Sequence, residues 1–246
     1  MKLLTVELKI FNSYKNQSEA AAALMVNVVL NKPDALCCLA TGDTPKLAYR
    51  LFVERIKTEK IDVSNCAFVG LDEWLGVPPK NSGSCSYYLY EHVFNPLQLP
   101  FNQIFLFDAL TENEASSCAK MDMFINLRGG IDVMITGIGM NGHIGFNEPG
   151  TDEYSHAHVM ALHNTTKTIG QKYFATKTAI HKGITQGLAT VMESKKLLML
   201  ANGKAKAQIV QKTLEEPVSV SLPSTFIKKH PGSYLFIDKE AAQNLL

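Results

Sequence analysis

The sequence predicts an α/β fold built on a doubly wound, mostly parallel sheet. Two observations lead there. Short β-rich apolar runs alternate with helical patterns along all 246 residues, the order that parallel sheets with crossover helices produce. Most of those runs are continuously hydrophobic rather than alternating, as strands covered on both faces require. With no internal repeat, no low-complexity tract and no linker rich in Pro, Gly or Ser, residues 1–246 read as one domain.

The elements follow in order. Helix 17–31 carries apolar Ala20, Leu24, Val28 and Val29, a helical stripe that reads as plain core. The run Ala-Leu-Cys-Cys-Leu-Ala at 35–40 is the first buried strand candidate, and helix 45–60 follows it. Thr44 before Pro45 reads as a helix cap with proline in the first turn. Strand candidate 66–71 is followed by helix 84–95, strand 103–107 by helix 112–127, and strand 131–136 by a glycine-rich loop. The C-terminal third offers strand 196–201, helix 203–215, strand 233–237 and helix 238–245.

Composition excludes several function classes. Lys plus Arg number 24 against 23 Asp plus Glu, a formal charge of +1. A polybasic nucleic-acid binder would need clustered cations, and the densest basic runs are only the pairs Lys195-Lys196 and Lys228-Lys229. Hydrophobic residues make up 46%, yet no apolar run approaches the ~20 residues that span a membrane. The opening Met1–Lys9 stretch alternates polar and apolar and contains Glu7, unlike a signal peptide. A soluble cytoplasmic protein is expected. The five cysteines agree: the count is odd, Cys37 and Cys38 adjoin in an apolar run, and no CxxC or zinc-like His/Cys spacing occurs. No metal and no cofactor are expected. Cys85 is the one thiol on a polar stretch. A nucleophilic role would need a nearby base, so a half-buried helix cysteine is the expectation.

In an open parallel sheet, ligands bind at the carboxyl ends of strands, which directs attention to three loops. Ala40-Thr41-Gly42-Asp43-Thr44-Pro45 joins a buried strand to a helix, and a helix N-terminus with Thr hydroxyls beside it is a ready anion site. A plain capped turn explains the same residues equally well, and the Asp43 carboxylate would repel phosphate unless it points away. Gly70-Leu71-Asp72-Glu73-Trp74 ends a strand with two acids, of which alternation allows one to enter a given cleft. A semi-buried carboxylate suits general-base chemistry, because desolvation raises its pKa toward the working pH. Solvated loop acids are the ordinary alternative. The third loop, Gly137 to Gly150, contains the spacing GxGxxG, but Gly145 and Pro149 follow too soon for the long helix that a dinucleotide fingerprint opens. What remains is a glycine-loosened loop that presents His143 and Glu148, with Asn141 beside them, as a proton-transfer pair. Gly139 and Gly142 would permit close ligand approach there. The three loops together describe proton shuffling on a phosphorylated metabolite.

These residues carry a resemblance. Leu-Ala-Thr-Gly-Asp-Thr-Pro at 39–45, Leu-Asp-Glu-Trp at 71–74 and Gly-Ile-Gly-Met-Asn-Gly-His-Ile-Gly-Phe-Asn-Glu-Pro at 137–149 resemble the amino-sugar-6-phosphate deaminase/isomerase family. Gly203–Ala207, Leu222–Ser224 and His230-Pro231 match more weakly, in the family's order. Lys32–Ala35, Leu71–Trp74 and Gly83–Cys85 look closest to the galactosamine-6-phosphate branch. The resemblance implies a three-layer Rossmann-like fold and conversion of a 2-amino-2-deoxyhexose 6-phosphate, gluco or galacto, to a ketohexose 6-phosphate plus ammonia. It implies Asp72 as the base that moves the C2 proton toward C1, His143 as the aid to ring opening, and Glu148 as its support. The Thr41–Thr44 turn and Lys206 match phosphate-gripping positions, Lys172 stands where an arginine is usual, and 150–183 corresponds to a mobile lid. Asn141 replaces an aspartate that many members carry in the relay, and Asp43 replaces a small residue. His158 and Met160 stand where allosteric forms carry basic residues, which with the short C-terminus implies no such activator site and a monomer or small homo-oligomer. A related 6-phosphogluconolactonase is the nearest rival, but lactonases usually have Arg where Trp74 stands and a Ser-Leu-Phe pattern where Phe146–Pro149 stand. A non-catalytic sugar-phosphate sensor would need a helix-turn-helix segment, for which the first strand leaves no room, and would be expected to have lost Asp72 and His143.

Overall fold

The computed structural model describes residues 6–245. In chain order the elements are β1 (Glu7–Phe11), α1 (Tyr14–Asn31), β2 (Leu36–Leu39), α2 (Asp43–Thr58), β3 (Ala67–Gly70) and β4 (Asp72–Trp74). Then come α3 (Cys85–Leu89), α4 (Asn95–Leu97), β5 (Ile104–Phe105), α5 (Glu114–Leu127), β6 (Val133–Gly137), β7 (His158–Ala161) and α6 (Asn164–Gly170). The chain closes with β8 (Lys182–Thr185), α7 (Leu188–Glu193), β9 (Leu197–Ala201), α8 (Ala207–Glu215) and β10 (Ser233–Asp238). Seven strands pair in the order β1-β10-β9-β6-β2-β3-β5, every pairing parallel. A separate antiparallel sheet has the order β4-β8-β7.

Strand β2 shows why its run is apolar at every position. Leu36 and Cys38 pack into one buried cluster with residues of α5, α7 and α8, while Cys37 and Leu39 pack into the other with residues of α1 and α2. Helices therefore cover both faces, and the three-layer α/β expectation is met. Each large side chain fully buried in these layers, such as Phe52 or Phe68, contributes roughly 1.5–3 kcal/mol. The order of strands reverses beside β2, with β3 on one side and β6 on the other. That crevice is where the switch-point rule places a ligand. Lys195 of the first lysine pair lies just before β9 and donates to Asp132 at 2.7 Å, alongside Lys32 at 2.6 Å.

Several elements differ from expectation. Helix α2 begins at Asp43, and its N-cap is Gly42 rather than Thr44. Its φ of +105° lies in the left-handed region, where glycine alone is free of strain. The stretch 84–95 is interrupted: α3 gives way to a π-turn at Tyr90–Phe94 before α4. Pro96, in that last turn, has no N–H for the carbonyl four residues back, which favours such a slip. The helix expected over 238–245 is not formed: Asp238 ends β10 and 239–245 form successive turns. Asp238 takes Ala241 N–H on its side chain and Ala242 N–H on its carbonyl, and so short a segment does not offset the cost of a helix nucleus. The strand expected at 103–107 shrinks to β5, at the edge of the sheet. Strands β1, β4, β7 and β8 and helices α6 and α7 are additional. Cys85 is buried at 3% exposure, not half-buried, and all five cysteines are free and buried. Among the described residues no helix is long and apolar enough to cross a membrane, and no group of three or more His, Cys, Asp or Glu stands ready for a metal ion.

Candidate active site

The cleft lies over the carboxyl ends of β2, β3 and β6. Its wall includes Thr41–Thr44, Asp72, Gly139, His143, Lys172 and Lys206, with Trp74 and Phe146 as apolar lining. Asn141, Glu148 and Gly142 are not part of that wall. The first two stand behind His143, whereas a Cβ on Gly142 would meet the Leu222 side chain at 2.2 Å. Gly142 thus serves packing against the 222–224 segment, not ligand approach.

At the first loop, Gly42 turns the chain into α2 and no side chain caps the first-turn amides, which leaves donors and a positive dipole end for an anion. Three tyrosines that sequence reading did not single out hold this backbone. Tyr49 donates to Ala40 O at 2.7 Å, Tyr88 to Gly42 O at 2.7 Å and Tyr14 to Asp43 O at 2.9 Å. The Asp43 carboxylate turns outward, where Lys172 Nζ donates to it at 2.6 Å. Its charge therefore does not occupy the turn. Lys206, on the short 3₁₀ turn after β9, donates to the carbonyl of Ile138. Burial, and then the neighbouring Lys172 charge, lower its pKa to about 8.

The two adjacent acids part company, as strand alternation requires. Glu73 is buried and receives Cys85 N–H and Trp74 N–H on Oε1, and Ser86 N–H and hydroxyl on Oε2. It anchors the N-terminus of α3. Asp72 faces the cleft and accepts from the Cys85 thiol at 3.5 Å. Burial raises its pKa to about 7, against the thiol hydrogen bond, with the Glu73 charge adding to the rise. A carboxylate poised there is a base matched to neutral pH.

In the third loop, His143 Nδ1 stands 3.5 Å from Glu148 Oε2 and 3.2 Å from the Thr166 hydroxyl. A Cβ at Gly139 would come within 2.3 Å of the imidazole Nε2, so the ring packs directly on the glycine backbone. Glu148 is buried; Asn141 Nδ2 donates to Oε2 at 2.7 Å and His163 N–H to Oε1 at 3.1 Å. Burial pushes its pKa up, but His143, Thr166 and Asn141 together outweigh this and bring it to about 2. An ionised Glu148 directs a proton to Nδ1 and leaves Nε2 as the acceptor. Thr166 carried no sequence signal, since it is brought over the cleft from α6.

Residues 13–236 match the family model of glucosamine-6-phosphate isomerases/6-phosphogluconolactonase. The chain belongs to this family. It is 36% identical over 230 residues to a glucosamine-6-phosphate deaminase of Bacillus velezensis, spanning 93% of this chain and 95% of that one. A Clostridium botulinum glucosamine-6-phosphate deaminase is 35% identical over 237 residues, 96% of this chain and 97% of its own. Among solved structures, a monomeric glucosamine-6-phosphate deaminase matches with a TM-score of 0.94 at 32% identity, covering 97% of this chain and all 100% of that one. A Trypanosoma brucei 6-phosphogluconolactonase matches at a TM-score of 0.76 and 19% identity, over 99% and 100% of the two chains. That likeness shows the family's fold alone.

Proposed function

We propose that this chain isomerises and deaminates a 2-amino-2-deoxyhexose 6-phosphate, giving a ketohexose 6-phosphate and ammonia. The observation that carries the reading is a base with a pKa of about 7, Asp72, in one cleft with an uncapped helix N-terminus and the His143–Glu148 pair. The α2 amides, Thr41, Thr44, Lys206 and Lys172 hold the phosphate. His143 Nε2 takes the proton of the anomeric hydroxyl and returns it to the ring oxygen as the ring opens. Asp72 then removes the C2 proton to give an enolamine and delivers a proton to C1. Water adds to the resulting C2 imine, and ammonia leaves. No step calls for a metal or an organic cofactor. Asn141 acts by holding the Glu148 carboxylate rather than by accepting a proton. Residues of α6 and the turn after it close over the substrate and keep bulk water from the enolamine. The chain acts in the cytoplasm on a small molecule, as a monomer or small homo-oligomer.

Ammonia release tests the reading, with glucosamine and galactosamine 6-phosphates offered side by side and 6-phosphogluconolactone hydrolysis followed in parallel. Release from either amino sugar is expected, and the two rates decide the preference at C4. Turnover of the lactone alone would overturn the assignment.

A further inference from the structure

Cys85 opens α3, is buried at 3% exposure and lines the cleft. Its sulfur lies between two functional groups: Thr41 Oγ1 donates to it at 3.3 Å, and its own thiol donates to Asp72 Oδ1 at 3.5 Å. We propose that Cys85 is a positioning residue for the base, tying the Asp72 carboxylate to the phosphate turn through one sulfur. This rests on the reading of Asp72 as the base.

The backbone supports the assignment. Cys85 N–H donates to Glu73 Oε1 at 2.9 Å, so the residue is fixed at its main chain by one member of the acid pair and meets the other with its side chain. The thiol has the longer reach of sulfur and a weak donor, so it orients the carboxylate while stabilising the anion only slightly. A strong donor would press Asp72 back toward ordinary carboxylate acidity and weaken it as a base. The proton belongs on sulfur: burial, and then the Glu73 and Asp72 charges, push the Cys85 pKa well up. That also removes Cys85 from consideration as a nucleophile. Of the other titratable groups, Glu73 on its own strand raises Asp72, while Asp72 in turn helps to raise Cys38 of β2 and Tyr49 of α2; His143 and Lys206 stand elsewhere in the cleft wall. Burial leaves Cys38 and Tyr49 neutral, their pKa values raised well up. Among the described residues the thiol is the hydrogen-bond donor to Asp72.

The test is a carbon-13 carboxyl NMR titration of Asp72 in the wild type, Cys85→Ala and Cys85→Ser. Loss of the donor in Cys85→Ala should move the Asp72 midpoint up by about half to one pH unit, and Cys85→Ser, which keeps a donor and a stronger one, should hold it at or below the wild-type value. If the cavity left by alanine unsettles α3, Cys85→Val, which fills the site without a donor, replaces it. In turnover the acid limb should move with the midpoint, giving about a three- to tenfold loss of kcat/KM at pH 6 for Cys85→Ala. An unmoved midpoint without the thiol, or the same displacement in Cys85→Ser, overturns the proposal. The titration needs no turnover. A wild-type protein inactive on both amino sugars would therefore sink the functional reading and still leave the role of Cys85 decided.

Discussion

Asp72 and Glu73 are neighbours in the chain, yet their carboxylates serve opposite sides of β4. Glu73 accepts three hydrogen bonds from the start of α3 and a fourth from Trp74 N–H, while Asp72 faces the cleft with the Cys85 thiol as its partner. Their substitutions should separate cleanly. Asp72→Asn should cut C2 proton exchange in deuterated water by about 10² or more and leave the fold intact. Glu73→Gln should instead lower stability by about 1–3 kcal/mol, because it disturbs a buried, charged cap. Exchange rates and thermal unfolding of the pair check both outcomes.

Asp72 should also impose a pH dependence on stability. Its folded pKa, about 7, is above the unfolded value, so folding favours the protonated form and stability falls as pH rises between the two. The uncharged Asp72→Asn escapes that loss. Above pH 7 it should be more stable than the wild type by about 2 kcal/mol, allowing for solvent access. The advantage should vanish near pH 4. Unfolding free energies across that range measure it.

Lys206 bounds the other side of the activity profile. Its pKa of about 8 means that the free enzyme loses above that pH a charge proposed to hold the phosphate. Together with Asp72, kcat/KM should rise up to about pH 7 and fall above about pH 8. Lys206→Met should raise KM about tenfold or more and flatten the alkaline limb. Steady-state kinetics from pH 5.5 to 9.5 decide this.

The His143–Glu148 pair predicts a substrate-dependent defect. His143→Gln should be slower on the cyclic substrate than on an open-chain analogue by about 10², and Glu148→Gln should follow the same pattern more mildly. Equal losses on both substrates would remove ring opening from the pair. In acid, the stability that Glu148 lends should persist at ordinary pH and disappear as pH falls through its folded pKa of about 2.

Gly42→Ala tests the phosphate turn. The φ of +105° is strained for any L side chain, and its Cβ would stand 3.1 Å from the Tyr173 hydroxyl. A stability loss of about 1–2 kcal/mol should accompany a raised KM, read from unfolding and from competition by inorganic phosphate.

The parallel sheet was legible because β2, β3, β6, β9 and β10 are buried and apolar at nearly every position, a pattern that burial on both faces imposes. The antiparallel sheet was not. β7 is only partly buried and carries His158, and β8 begins with exposed Lys182; both are held by pairing with residues far away in the chain. At the site, Asp72, His143, Glu148 and the 41–44 turn could be read because each follows a strand. Thr166 and the three tyrosines that hold the turn come from helices, where nothing local marks them. Asn141 next to Glu148 could be suspected from proximity, but its amide proved to hold the carboxylate.

A single residue, Leu71, separates the end of β3 at Gly70 from the start of β4 at Asp72. It belongs to both sheets, with its N–H on Leu39 O of the large one and its carbonyl taking Gln186 N–H just after β8. Asp72 in turn pairs with Thr185, and Thr185 with His158. The proposed base is therefore mounted on the small antiparallel sheet that β7 and β8 complete, with Leu71 as its link to the large sheet. Asp72 is part of that sheet, so the position of its carboxylate is tied to β8. On the proposed function, covering the substrate and aiming the base are coupled through this small sheet, and substitutions along β7 or β8 should detune chemistry without touching the substrate.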